Sequence, residues 1–357
     1  MAVTCKELDD DGASIAWDEF VEAMPGASFF HRAGWRRVLA LAFGHRPRFL
    51  YTERDGAITG ILPLAHMKTR LFGNSVVGLP FCVYGGPVAS DTESETALVA
   101  RARAIMGETG ADVLEFRLRA PEHGEPADGA SDDGGADQWR TRSDLYVTFR
   151  KSFGPSDDAN LKAIPRKQRA MVRKGIERGL TSTVDRDVDL LHRIYAESVR
   201  NLGTPVFARH YFRVLAEVFA DRLDVVTVRD GETPIASVLN FYFRDEVLPY
   251  YGGGTSLARE RHGNDFMYWE VMRRAAARGY KLFDFGRSKV GTGAHAFKRN
   301  WGFVPEPLHY RYHLRPGADI PDHNPLNPKY RFFIAAWKRL PIPVANTLGP
   351  FIVRGIG

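Results

Sequence analysis

Cysteine is scarce in this sequence: 357 residues contain only Cys5 and Cys82. The two lie far apart, give no metal-type or redox-type spacing, and cannot build a disulfide framework. Such scarcity suits a reducing compartment. Long apolar runs are missing too. The most apolar stretch, Leu71 to Val88, is broken by Asn74, Pro80 and Gly85–Gly86, short of the roughly 18 uninterrupted apolar residues a membrane span needs. Asp9, Asp10 and Asp11 stand where a secretion leader would be basic. The expectation is a cytoplasmic protein, with any membrane contact peripheral at the inner face. His31, His262 and His295 show no ligand spacing, so no metal is expected. Lys and Arg are absent from Pro121 to Gln138, which holds Glu122, Glu125, Asp128, Asp132, Asp133 and Asp137. With its glycines this stretch cannot bury a core and reads as a mobile acidic loop.

What is present is the mix of a packed globular protein, 44% hydrophobic and 26% charged, at a length that allows two domains. The net charge of +6 favours polyanionic partners.

The order of elements repeats. Tyr51 to Gly56 precedes the apolar run Ala57 to Ala65, and Val226 to Gly231 precedes Pro234 to Phe243. Each reads as two strands joined at an Asp-Gly turn. Each half then offers a strand ending in glycines, Val83 to Gly86 and Tyr250 to Gly253. A helix follows, Glu93 to Gly107 and Asn264 to Arg278, and then another strand, Val113 to Leu118 and Lys281 to Phe285. In the second helix Tyr268, Val271, Met272 and Ala275 share one face. The reading is a duplicated α/β architecture with mixed sheets. The expected domains are 1–155, including the loop 121–138 and a strand at Asp144 to Arg150, then 156–315, then a basic and apolar tail at 316–357.

The densest chemistry lies between Phe283 and Phe303. A strand ends at Gly286 and delivers Arg287, Ser288 and Lys289 at its carboxyl end, where open α/β sheets commonly bind ligands. Gly291 and Gly293 let backbone approach a ligand closely. Lys298 stands between Phe297 and Trp301, where a partly dry ammonium would stabilise a developing oxyanion. An exposed basic loop with a short helix is the equally weighted alternative. Asn240, Tyr250 and Tyr251 lie on central strands and are candidates for lining the cleft, although packing is the commoner role of such residues. No side chain stands out as general base, and Ser288 lacks a nucleophile-elbow setting.

These residues carry a resemblance. Asp284-Phe285-Gly286-Arg287-Ser288, followed by Phe297, Lys298, Trp301 and Gly302, resembles the signature of the FemAB-like peptidyltransferases and their relatives with tandem GNAT-type N-acetyltransferase folds. Ser28 to Trp35 with Phe43–Gly44 resembles the opening of that family's first domain, and Pro165 to Gly175 the helix that opens its second. The likeness spans residues 15 to 315. It is closest to the FemAB-related proteins of exosortase/PEP-CTERM exopolysaccharide systems, which Pro341 to Pro350 also resembles. The resemblance implies two tandem acyl-CoA N-acyltransferase-like (GNAT) domains. It implies acyl or aminoacyl transfer to an amine on a cell-envelope or exopolysaccharide precursor, with Lys298 as oxyanion stabiliser or tRNA contact. Beside it, Arg287 and Ser288 are taken as catalytic candidates that position the substrate, and Gly286, Gly293, Phe297 and Trp301 as candidate substrate contacts.

Donor and partners are read from charge. Aminoacyl-tRNA is the donor the resemblance implies, with acyl-CoA as the alternative and no tightly bound cofactor. The turn that would hold coenzyme A phosphates, Glu260 to Asp265, carries acids where a cation and a small residue are expected. Arg166, Arg169 and Arg173 line one face of the helix from Pro165 to Gly179, a stripe suited to phosphate on tRNA, a nucleotide-sugar or a lipid-linked sugar. A solvated helix face is its plain alternative. The tail interleaves Phe332, Phe333, Ile334, Trp337, Ile342 and Phe351 with Lys329, Arg331, Lys338, Arg339 and Arg354. That pattern suits an anchor on anionic lipid, and equally a strap over the domains. Two other functions compete: an acyl-CoA-dependent N-acetyltransferase, and a non-catalytic module that captures RNA or lipid-linked sugar.

Overall fold

The computed structural model describes residues 2–9, 11–69, 72–120, 139–321 and 331–355. The acidic segment 121–138 lies outside them. The chain forms two compact units: residues 1–146 with 307–323 and 354–357, and residues 147–306 with 324–353.

The first unit contains β1 (Thr4–Glu7), α1 (Asp11–Ala23), α2 (Gly34–Phe43), β2 (Arg46–Pro47), β3 (Leu50–Arg54), β4 (Ala57–Leu62), β5 (Ala65–Thr69), β6 (Gly73–Val77), β7 (Val88–Ala89), α3 (Thr92–Thr109), β8 (Val113–Leu118) and β9 (Trp139–Arg142). Asp55 and Gly56 take φ of 54° and 80°, which closes the β3–β4 hairpin with the expected left-handed turn. β6 and β8 run parallel, with α3 between them in sequence. Leu98, Ala102 and Ile105 on α3 are buried against Leu50, Leu62, Val76 and Leu114. Each buried Leu, Ile or Val among them contributes about 1.5–3 kcal/mol. Val83 to Gly86 is not the strand expected from the repeated element order. It contributes an isolated bridge, Gly85 to Arg117, and Leu79 and Phe81 adopt positive φ just before it.

The second unit begins with β10 (Tyr146–Ser152), α4 (Asp157–Ala163), α5 (Arg166–Glu177), β11 (Thr181–Asp185), α6 (Val188–Leu202) and α7 (Arg209–Val218). There follow β12 (Leu223–Asp230), β13 (Thr233–Phe243), β14 (Glu246–Gly254), α8 (Ser256–Arg261), α9 (Gly263–Ala277), β15 (Leu282–Asp284), β16 (Ser288–Lys289) and α10 (Gly293–Asn300). The sheet order is β11-β12-β13-β14-β15-β10-β16. β14 and β15 run parallel, with α8 and α9 between them, so each half holds a parallel pair joined through a helix. Val271, Met272 and Ala275 on α9 are buried in the core with Val226, Val238 and Phe283. Further on come β17 (Pro305–Pro307), β18 (His309–Leu314), α11 (Arg331–Trp337) and α12 (Ile342–Val353).

Two boundaries differ from the sequence expectation. The strand expected at Asp144 to Arg150 pairs with β15, Arg150 opposite Asp284, so it extends the second sheet and not the first. β18, expected within 156–315, pairs with β8 and β9 of the first unit. Both results come from long-range pairing, which a local pattern does not encode.

Candidate active site

The site grows from the end of β15. The chain turns at Gly286, whose φ of 67° favours glycine. Asp284, 1% exposed, clamps this turn: Oδ1 accepts the Gly286 N–H at 2.7 Å, and Oδ2 lies 3.4 Å from Arg150 Nε. Ser288 then enters β16, with its hydroxyl buried and without a hydrogen-bond partner among the described residues. A buried polar atom of this kind is ready for a ligand or water. α10 starts at Gly293, capped by Thr292 Oγ1, which accepts the His295 N–H at 3.3 Å.

α10 aims Lys298 back at the turn. Its Nζ donates to the carbonyls of Gly286 and Arg287, both at 3.0 Å. The ring centres of Phe285 and Phe149 lie 5.5 and 5.6 Å away. The residue as a whole is half-buried, yet its amino end is enclosed by main chain and rings. Burial pushes its pKa down to about 7, against the pull of the Asp284 carboxylate and with the help of Arg287. A neutral amine has two hydrogens and one lone pair. With both hydrogens committed to carbonyls, the lone pair is left to accept a proton, and the ammonium would present a third N–H in the same direction. Near neutral pH this group can therefore act as base or acid.

An aromatic wall supports α10. Tyr268 contacts Phe285, Phe297 and Trp301 at 4.7, 5.7 and 6.3 Å between ring centres. Trp301 is fully buried, and its indole N–H reaches Asp265 Oδ1 at 3.0 Å. The same oxygen accepts from Gln168 Nε2 at 2.7 Å. Burial raises the Asp265 carboxyl above its ordinary range, although both hydrogen bonds oppose that rise. Asp265 was expected to repel a phosphate at the start of α9. It turns inward instead and ties α5, α9 and α10 together. Glu260 stays exposed.

Two cations, Lys174 and Arg178, lie near the start of α9. His262 precedes it with φ of 62° and no side-chain cap. Burial lowers the His262 pKa, and Arg178 and Lys174 lower it further. Arg178 also donates to the Glu260 carbonyl. Helix donors with neighbouring cations form an anion-binding arrangement.

The other candidates separate into distinct settings. Lys298, Gly286, Arg287, Ser288, Gly293, Phe297 and Trp301 all belong to the one segment at the end of β15. Arg287 contributes its carbonyl, and its side chain is half-buried. Asn240 joins a different cluster: its Nδ2 donates to Asp224 Oδ1 at 2.9 Å, and Tyr242 and Arg278 bind the other oxygen. Tyr251 lies among α6 and α7 aromatics, its hydroxyl 2.7 Å from that of Tyr211. A register shift falls between Leu239 and Asn240, so two residues of β14 stand opposite one step of β13 there. On α5, Gln168, Val172 and Gly175 are buried, while Arg166 and Arg173 are exposed. Arg169 is half-buried and donates to the Lys162 carbonyl at 3.2 Å. Phe149 and Asp284 were missed as site residues. Asp284 stood inside the motif, but nothing local pointed to Phe149, which only the β10–β15 pairing brings near Lys298.

Residues 161–299 match the family described as Acetyltransferase (GNAT) domain. The chain has a tandem GNAT fold. FemX superposes with a TM-score of 0.66 at 15% identity, covering 87% of this chain and 97% of that one. L-PGS from Bacillus licheniformis gives 0.52 at 15%, covering 87% and 94%. A tandem GNAT protein from the clavulanic acid biosynthesis pathway gives 0.52 at 14%, covering 89% and 100%. At these identities the likeness is one of fold. No curated protein matches the chain. The matched GNAT segment contains α5, α9, the β15 turn and Lys298, while Phe149, Arg150 and Trp301 lie just outside it.

Proposed function

We propose that this GNAT protein transfers an acyl group from a phosphate-bearing donor to a primary amine, with acyl-CoA as the donor. The observation that carries this reading is the Lys298 amine, held near neutrality by burial and bound to the Gly286 and Arg287 carbonyls. The acceptor amine attacks the thioester carbonyl and forms the new C–N bond. Lys298 takes the proton the amine loses. The C–S bond breaks as the tetrahedral centre collapses, and the leaving thiolate receives that proton. Ser288, with its unpaired buried hydroxyl, serves as a substrate contact. The cations near the start of α9 support binding of the donor phosphates. An amine on a cell-envelope or exopolysaccharide precursor, as the family resemblance implies, suits this chemistry.

The test is thiol release from acyl-CoA in the presence of a panel of primary amines. Saturable turnover is expected, and Lys298→Met should lower kcat by about 100-fold or more with the fold intact. Full turnover in that variant removes Lys298 from the chemistry.

One observation favours a second donor. The exposed Arg166 and Arg173 have no ion pair among the described residues, and with Arg169 they form a stripe suited to aminoacyl-tRNA, a nucleotide-sugar or a lipid-linked sugar. Transfer from charged tRNA that weakens with salt and with Arg173→Glu would establish that donor. Tight binding of these ligands without transfer to any amine would instead mark a binding module.

A further inference from the structure

α12 is apolar on two sides. Ala345, Gly349 and Val353 are buried, spaced so that they share one face. Gly349 lies on that face, where an added Cβ would meet the Val206 backbone at 2.8 Å, so α12 is seated closely against the body of its unit. Val344, Leu348 and Phe351 recur at i, i+4, i+7 on another face, and they are 41%, 45% and 78% exposed. No charged residue lies within Ile342–Val353. A surface helix normally turns a polar face to water. On α11, Phe332 is 88% exposed, and Lys338 and Arg339 follow it, both exposed. Residues 323–357 carry Lys329, Arg331, Lys338, Arg339 and Arg354 and not one Asp or Glu.

We propose that α11 and α12 form a docking face for an anionic lipid bilayer, lying in its interface with Phe332, Leu348 and Phe351 inserted and Lys338 and Arg339 at the headgroups. Charge decides between the occupants. A second copy of the chain docking symmetrically would bring like basic residues together across an acid-free face. A nucleic acid would satisfy the cations but gain nothing from Val344 and Leu348. An anionic membrane satisfies both, since apolar insertion and basic attraction act together. At 12 residues α12 is about 18 Å long, too short to cross a bilayer. Among the described residues no helix is long and apolar enough to do so. The face therefore lies on a membrane and does not span it.

The experiment is co-sedimentation of the full chain with vesicles of phosphatidylglycerol mixed with phosphatidylcholine, and with vesicles of phosphatidylcholine alone. Binding to the anionic vesicles is expected. It should fall by about tenfold or more in Leu348→Asp/Phe351→Asp and by a similar factor in Lys338→Glu/Arg339→Glu or at high salt. All four positions are exposed, so thermal unfolding should match the parent and exclude misfolding as the cause. Failure of the parent to bind anionic vesicles would overturn the proposal, as would undiminished binding of the Leu348→Asp/Phe351→Asp variant. So would light scattering that finds a dimer which Phe351→Asp dissolves, because the face would then belong to a second copy.

Discussion

Trp301 gives its indole N–H to Asp265 Oδ1 at 3.0 Å, and Gln168 uses the same oxygen. One buried carboxyl thus links the helix that starts the proposed phosphate site with the helix that carries Lys298. Asp265→Ala leaves two buried donors without an acceptor, and each such loss costs about 1–3 kcal/mol. A drop in Tm of several degrees is expected in thermal unfolding, together with lower turnover. Asp265→Asn keeps an acceptor oxygen and should recover most of both. Burial raises the Asp265 pKa, so its contribution to stability is complete below the unfolded carboxyl range and fades as pH rises through the raised value. The stability gap between the parent and Asp265→Asn should shift toward the parent in acid.

The pH dependence of turnover reports on Lys298 directly. With its pKa near 7, a base role predicts that kcat/KM climbs as pH rises through about 7 and then levels. Lys298→Met should lose that limb along with activity. A profile that falls through the same range would make the ammonium the active form and assign Lys298 to oxyanion stabilisation.

The same group sets a slope in stability. The unfolded lysine keeps its proton up to its ordinary value of 10.5, while the folded one releases it near 7. Between those values the unfolded chain binds more protons, so this residue makes stability rise with pH. Its penalty is complete below about 7 and vanishes above 10.5. Lys298→Met removes the penalty. The Tm of the variant minus that of the parent should therefore be larger at pH 6 than at pH 9, by about 3 °C.

Gly302 takes φ of 78°, and an added Cβ would come within 2.9 Å of Pro165 Cδ. Gly302→Ala combines left-handed strain with a contact against a rigid ring. It should cost about 1–3 kcal/mol, visible as a lower denaturation midpoint. Gly293 has open space around it, so Gly293→Ala serves as the control and should be close to neutral.

Local chemistry was legible in the sequence where it acts locally. The turn at Asp55–Gly56, the buried face of α9 and the gathering of Gly286 to Ser288 with Lys298 all follow from residues close together in the chain, whereas the second hairpin turns one residue later than expected, at Gly231–Glu232, with Asp230 paired to Thr233. The Asp-Gly turn needs positive φ, and a helix buries its i, i+3, i+4 stripe whatever lies opposite. What the sequence did not give away depends on partners far along the chain. β10 joins the second sheet because Arg150 pairs with Asp284, and β18 returns to pair with β8. Asn240 and Tyr251 were grouped by their place on central strands, but one bonds to Asp224 and the other to Tyr211. Asp265 was read as an obstacle to phosphate because its charge was visible and its direction was not.

Lys298 is held by main-chain oxygens and not by side chains. Its two acceptors come from the peptide groups of Gly286 and Arg287, and their position follows from the fold of the turn. Arg287 can therefore be exchanged without removing either acceptor, since every amino acid brings the same carbonyl. Its exchange removes only the Arg287 charge from the influences on the amine, while burial and both carbonyls stay in place. The hold on Lys298 therefore belongs to the backbone, and the neighbouring side chains adjust its proton affinity.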